Sequence, residues 1–124
     1  MDVIHTAIWV SDLERSYEFY VDGLGLEESH RFVLDGVENV YVGGDHGEIQ
    51  LRYDGADRDV DPDREALDHV ALGVDDVDAE FERLRDETGC PVVEEPFTVE
   101  QAGARVAFVE DPAGYVVELV ERLE

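Results

Sequence analysis

Two stretches of this chain copy one another 64 residues apart. His5-Thr-Ala-Ile-Trp-Val-Ser-Asp-Leu aligns with His69-Val-Ala-Leu-Gly-Val-Asp-Asp-Val, and His5/His69, Ala7/Ala71, Val10/Val74 and Asp12/Asp76 are identical pairs. A repeat of this kind means that one supersecondary unit is used twice. Each copy reads as an extended apolar stretch followed by an Asp-capped amphipathic helix. Ser11 or Asp12 caps the first helix, with Leu13, Tyr17 and Tyr20 at helical spacing. Asp75 or Asp76 caps the second, with Val77, Phe81 and Leu84 likewise. Gly23 with Gly25, and Gly89 before Pro91, are the stop signals.

Strand-like runs follow each helix. In the first half they are Leu26–Leu34, Val37–Val42 and Glu48–Tyr53, divided by Asp-Gly and Gly-Gly turns. In the second half they are Val92–Val99, Ala104–Val109 and Tyr115–Val120, the last two divided by Asp-Pro-Ala-Gly. Residues 54–65 are polar, charged and contain Pro62, so they read as a linker between module one (1–53) and module two (66–124). The fold class expected is α+β, two βαβββ modules in tandem within a single 124-residue domain.

Side chains alternate faces along a strand, so His5 shares a face with Val3, Ala7 and Trp9. His69 shares one with Leu67, Ala71 and Gly73. Late in each half a polar residue interrupts an apolar strand: Gln50 between Ile49 and Leu51, and Glu118 between Val117 and Leu119. A carboxylate inside Val-Val-Glu-Leu-Val is costly to bury unless it is paired or metal-bound. If the halves pack pseudo-symmetrically, the first and last strands of each bring His5, Gln50, His69 and Glu118 together. Imidazole, amide oxygen and carboxylate suit a divalent first-row metal, with positions left for water or substrate. A lone strand histidine is more often a satisfied core residue; the obedience of all four positions to the repeat is what lifts them above that reading. His30 and His46 do not obey it, and His46 in Gly-Gly-Asp-His-Gly reads as a turn residue.

The charge excludes several partners. There are 33 acidic residues against 9 basic ones, all Arg, for a formal net charge of −24. That repels nucleic acid phosphates and anionic membrane surfaces. It also strains the compact state unless salt screens it, and at about 1 M salt the Debye length falls to about 3 Å. A high-salt (halophilic) cytoplasm is therefore the expected setting. No apolar run approaches the roughly 20 residues of a membrane span, and the N-terminus lacks a signal pattern. Cys90 is the only cysteine and has no activating neighbours, so it reads as structural.

The motifs I-H-T-A-I-W-V-S-D-L-E-R-S-Y-E-F-Y-V-D-G-L-G-L, D-H-V-A-L-G-V-D-D-V-D and V-A-F-V-E-D-P-A-G-Y-V-V-E-L-V-E span nearly the whole chain. In these motifs the sequence resembles the vicinal oxygen chelate (glyoxalase/bleomycin resistance/dioxygenase) superfamily, and most closely bacterial-type glyoxalase I. The resemblance implies curved mixed sheets enclosing a metal, a homodimer with metal sites at the subunit interface, and a small-molecule substrate. By position it places the metal ligands at His5, Gln50, His69 and Glu118. The metal implied is Ni, Co, Zn or Mn, or Fe for a dioxygenase. The chain departs from the glyoxalase I pattern at four places. Gln50 stands for the usual Glu, Trp9 for an Arg that contacts glutathione, Asp54 for an Asn and Glu100 for a loop Lys.

The chemistry implied is proton transfer beside a metal-bound carbonyl, with Glu118 and Gln50 at the reaction centre. Glu118, the one carboxylate of the four, is the expected base; Gln50 exchanges no proton at neutral pH. Glu48 is a second acid/base candidate on the Gln50 face. Trp9 and Arg52 are the expected substrate-binding residues, as a pocket wall and as a cation for an anionic substrate. The ligand order His, Gln, His, Glu is also that of methylmalonyl-CoA epimerase. His5, His69 and Glu118 alone form a two-His-one-carboxylate set like that of Fe(II) extradiol dioxygenases. A non-enzymatic ligand-sequestering protein of the bleomycin-resistance type is the remaining alternative.

Overall fold

The computed structural model describes residues 3–55, 60–63 and 67–123. The chain forms two compact units, Met1–Val60 and Asp61–Glu124. Parts of the expected linker, 56–59 and 64–66, lie outside the described residues.

The first unit runs β1 (His5–Trp9), α1 (Leu13–Tyr17) continued by a π-helical stretch (Glu18–Gly23), β2 (Glu27–Leu34), β3 (Val37–Gly43) and β4 (Glu48–Tyr53). The second runs β5 (Val70–Gly73), α2 (Val77–Thr88), β6 (Val92–Val99), a single 3-10 turn (Glu100–Ala102), β7 (Ala104–Glu110) and β8 (Val116–Arg122). Each makes a four-stranded mixed sheet with the same topology, β1-β4-β3-β2 and β5-β8-β7-β6. In both, the first strand lies parallel to the last and the other neighbours are antiparallel. The βαβββ repeat expected from the sequence is therefore present strand for strand.

Local chemistry sets the boundaries. The caps are Asp12 and Asp76, whose backbones are extended and nearly identical (φ −144° and −143°). Their carboxylates accept the Arg15 and Ala79 backbone N–H groups, each at 3.1 Å. Gly89 ends α2 at φ 67°, a conformation open to residues without a Cβ. Asp35 and Gly36 both have positive φ, as a two-residue hairpin between β2 and β3 requires. Pro96 sits in β6, an edge strand whose pairing with β7 slips around it.

The first helix differs from expectation. Its buried residues are Ser16, Phe19, Tyr20 and Gly23, while Leu13 and Tyr17 stay partly exposed. Tyr20 is buried as expected, and the inward face keeps helical i, i+3, i+4, i+7 spacing but runs through Ser16 and Phe19; beyond Tyr17 the helix widens into a π-turn, with Leu24 N–H donating to Phe19 O. In α2 the expected residues Val77, Phe81 and Leu84 are all buried.

The two faces of each sheet divide the labour. In the first unit Ile8, Val40, Val42, Ile49 and Leu51 are buried core residues, on the side that Phe19 and Tyr20 complete. In the second, Ala107, Val109, Val117 and Leu119 join the α2 residues. Cys90 is buried and free, and among the described residues no helix is long and apolar enough to cross a membrane.

Candidate metal centre

The face of the first sheet opposite its core is polar and aromatic. Parallel pairing sets His5, Ala7 and Trp9 of β1 beside Glu48, Gln50 and Arg52 of β4. Antiparallel pairing sets Gly43, Tyr41 and Asn39 of β3 on their other side. His30 and Phe32 of β2 extend the row past Tyr41 and Asn39. The His5 ring meets Tyr41 edge-on, 5.4 Å between centroids and 83° between planes.

The second sheet repeats this arrangement. Glu118 of β8 lies between Ala71 and Phe108, as Gln50 lies between Ala7 and Tyr41. His69, just before β5, meets Phe108 edge-on at 5.7 Å and 85°. Each candidate histidine thus has an aromatic ring at its side, and each candidate oxygen donor has the same two strand neighbours. His5 and Gln50 belong to one unit, His69 and Glu118 to the other.

Within the second unit the two candidate ligands touch, His69 Nε2 being 3.1 Å from Glu118 Oε1. The other ring nitrogen, Nδ1, lies 2.7 Å from Asp68 Oδ2, which fixes the ring with Nε2 toward Glu118. Metal–nitrogen and metal–oxygen bonds of about 2.0–2.2 Å at angles of about 90–110° separate two ligand atoms by about 2.9–3.4 Å. The observed pair meets that spacing. A carboxylate on the far nitrogen of a ligating imidazole is the usual supporting partner.

In the first unit Gln50 is 9% exposed, and its Nε2 donates to Asn39 Oδ1 at 2.9 Å. That leaves the amide oxygen, the atom a cation needs, outside the pair. Asn39 also accepts from Arg52 Nε at 3.1 Å. The Arg52 guanidinium lies 4.6 Å over the Trp9 ring, within cation–π reach. Trp9 and Arg52, expected to contact substrate, form one stacked unit on the same sheet face as His5 and Gln50. Glu48 accepts the Ser29 hydroxyl, so its carboxylate is engaged next to the His5 position. Within the second unit His69 and Glu118 are in contact, and within the first His5 and Gln50 lie on adjacent strands of one sheet face; imidazole, carboxylate and amide oxygen are donor types that suit a divalent ion.

A separate acidic group, Asp76, Asp78 and Glu121, brings three carboxylates within 4.8 Å. Each already has a task at the start of α2. Asp76 caps Ala79, Glu121 accepts the Val77 N–H at 2.9 Å, and Asp78 forks onto Arg105 at 2.6 and 2.9 Å. That charge-assisted fork holds the Asp78 carboxyl below the usual aspartate range.

Sequence reasoning passed over Asn39 and Asp68, the partners of Gln50 and His69. Asn39 carried a weaker form of the Gln50 signal, a polar residue beside Glu38 near the start of an otherwise apolar strand (Val-Glu-Asn-Val-Tyr-Val). His30, which does not obey the repeat, nonetheless lies on the same sheet face, its ring 5.9 Å from Tyr41.

Comparison with known proteins agrees with this architecture. Residues 3–119 match the family model described as Glyoxalase/Bleomycin resistance protein/Dioxygenase superfamily. A lactoylglutathione lyase of Haemophilus influenzae is 36% identical, the match covering 98% of this chain and 93% of that protein. A probable lactoylglutathione lyase of Synechocystis is 34% identical over 98% of this chain and 95% of its own length. Among solved structures, the trypanothione-dependent glyoxalase I of Leishmania major superposes with TM-score 0.82 at 31% identity, covering 98% of this chain and 86% of that one. Glyoxalase I from Zea mays superposes with TM-score 0.83 at 25% identity; this chain spans 45% of its length. The family match across nearly the whole sequence, and the same paired-module fold, establish that the chain belongs to the Glyoxalase/Bleomycin resistance protein/Dioxygenase superfamily.

Proposed function

We propose that this chain is a metal-dependent, glyoxalase-I-like lyase or isomerase that moves a proton next to a metal-bound carbonyl. The observation that carries the reading is the 3.1 Å approach of His69 Nε2 to Glu118 Oε1, at strand positions that His5 and Gln50 repeat in the other unit. In this reading modules 1–53 and 66–124, joined by 54–65, each supply two ligands. Bound by His5, Gln50, His69 and Glu118, a divalent ion (Ni, Co, Zn or Mn) supplies polarisation of the substrate carbonyl and so acidifies the neighbouring C–H.

The chain's own residues do the rest. Glu118 is the base: it removes the proton from one carbon and returns it to the next. Asp68 holds His69 in orientation. Gln50 contributes an oxygen and no proton. The four ligands together carry one negative charge, so a bound divalent ion keeps a net positive charge that favours an anionic substrate oxygen. Trp9 and Arg52 form the wall that meets the remainder of the substrate.

The substrate class is the adduct of a thiol with a small α-ketoaldehyde, or a related α-hydroxycarbonyl. Trp9, Asp54 and Glu100 stand where glyoxalase I carries its glutathione contacts, so the thiol recognised here is set by an indole and carboxylates. The Leishmania relative, by its description trypanothione-dependent, shows that family members differ in thiol. The relatives named lactoylglutathione lyase favour this chemistry over the epimerase, dioxygenase and sequestration readings. The protein acts as a homodimer with metal sites at the subunit interface, in a high-salt cytoplasm. The test is methylglyoxal supplied with glutathione, coenzyme A and smaller thiols in molar KCl. Formation of a thioester with one of them supports the proposal; methylglyoxal loss without thioester counts against it.

A further inference from the structure

The two halves of this molecule place an amide at one repeat position and a carboxylate at its counterpart, and the structure shows what separates them. Gln50 Nε2 donates to Asn39 Oδ1 at 2.9 Å, and Asn39 is 2% exposed. The Asn39 amide has no freedom to reverse. Its Nδ2 donates to Val37 O at 3.1 Å and its Oδ1 also accepts from Arg52 Nε at 3.1 Å. Reversal would set its NH₂ against two donors and its oxygen against a carbonyl, with all three bonds lost. Arg52 is itself steadied over Trp9 at 4.6 Å. Position 50 therefore faces a fixed acceptor, which a glutamine satisfies and an ionised glutamate would oppose with another oxygen.

Among the described residues of the second unit, the corresponding register positions hold no such acceptor. By register, Phe108 faces Glu118 as Tyr41 faces Gln50, and the counterparts of the paired Asn39 and Arg52 are the paired Val106 and Val120. A carboxylate at 118 meets no fixed acceptor at those positions.

We infer that Asn39 is a positioning residue: held by Arg52 and the Val37 carbonyl, it fixes the Gln50 amide with its oxygen toward the metal position and selects a neutral ligand at 50. The ligand part of this inference rests on the proposed function; the selection of amide over carboxylate rests on the hydrogen bonds alone.

The experiment is a cycle of Gln50→Glu in the Asn39 and Asn39→Leu backgrounds, with Asn39→Asp as the conservative variant. Two quantities are read in full-length protein in molar KCl: the melting temperature without metal, and the affinity for Zn²⁺ by chelator competition. With Asn39 present, Gln50→Glu is expected to lower the melting temperature by about 5 °C. It is also expected to lower Zn²⁺ affinity, although added negative charge alone would raise it. With Leu at 39 both penalties vanish and Gln50→Glu raises affinity. Asn39→Leu alone lowers affinity about 10-fold, whereas Asn39→Asp, which keeps an acceptor for Gln50 and Arg52 but loses the bond to the Val37 carbonyl, falls between Asn39→Leu and the parent. A purely structural Asn39 would lower the melting temperature without changing the sign of the Gln50→Glu effect. Equal effects of Gln50→Glu in both backgrounds overturn the inference. If the parent binds no Zn²⁺ yet the melting penalty still depends on Asn39, the metal reading fails while the selection of amide over carboxylate stands.

Discussion

Gln50 and Leu51 are neighbours in β4 and point to opposite faces, so replacing each by alanine separates the core from the site. Leu51 is fully buried, between Ile8 of β1 and Val40 of β3 in register. Both strands are hydrogen-bonded to β4, so the space left by Leu51→Ala does not close. Leu→Ala changes in such sites cost about 3–5 kcal/mol. With an unfolding entropy of about 2.1 cal/mol/K per residue, a 124-residue chain loses roughly 1 °C for each 0.26 kcal/mol, and about 3.5 kcal/mol becomes about 13 °C. Gln50→Ala removes one buried hydrogen bond, while Asn39 keeps Arg52 as a donor. That costs about 1 kcal/mol, or about 4 °C. Metal binding should move the other way: Leu51→Ala keeps the parent affinity when folded, and Gln50→Ala loses at least about 10-fold. Circular dichroism melting of metal-free protein and chelator competition, both in the same KCl buffer, read the two effects. Equal melting shifts, or a Leu51→Ala shift below about 4 °C, refute the division of the sheet into a core face and a ligand face.

Three further outcomes are expected. Asp68→Asn should weaken metal binding by about 10-fold, the low end for a supporting carboxylate, because the Asp68 side chain is 86% exposed and solvent screens it; unchanged affinity in a chelator titration would contradict the orienting role. Arg105 depresses the Asp78 carboxyl, so the pair's contribution is present above about pH 4 and lost as pH falls toward the lower folded value. Arg105→Gln should thus melt below the parent at pH 7 and converge with it below about pH 4, and a constant gap across that range refutes the assignment. Because the formal net charge is −24, the melting temperature should rise from 0.1 M to about 2 M KCl, and a flat profile removes the high-salt reading.

Much of the fold was legible because the repeat is written in residue types that act locally. Asp caps, the Asp35-Gly36 turn and the αL glycine after α2 need no tertiary information, and β4 and β6 begin and end where the pattern placed them. In the first helix Tyr20 is buried as expected, but the inward face runs through Ser16 and Phe19 and leaves Leu13 and Tyr17 partly exposed. No residue type announces the π-helical continuation over Glu18–Gly23. The candidate ligands were visible as polar interruptions of apolar strands at repeated positions. Their partners were harder to see. Asn39 matters through strand register, which sets it opposite Arg52 and diagonal to Gln50, and Asp68 matters through the turn of one ring. Register and ring orientation are three-dimensional facts that a linear pattern encodes only weakly.

Metal content of the protein purified in molar KCl, measured by elemental analysis for the parent and for His69→Ala, tests the central claim most directly. The account predicts about one equivalent of Ni, Co, Zn or Mn per chain in the parent and its loss in the variant. Parent protein that holds no metal even after reconstitution, or a His69→Ala protein that holds as much as the parent, would contradict it.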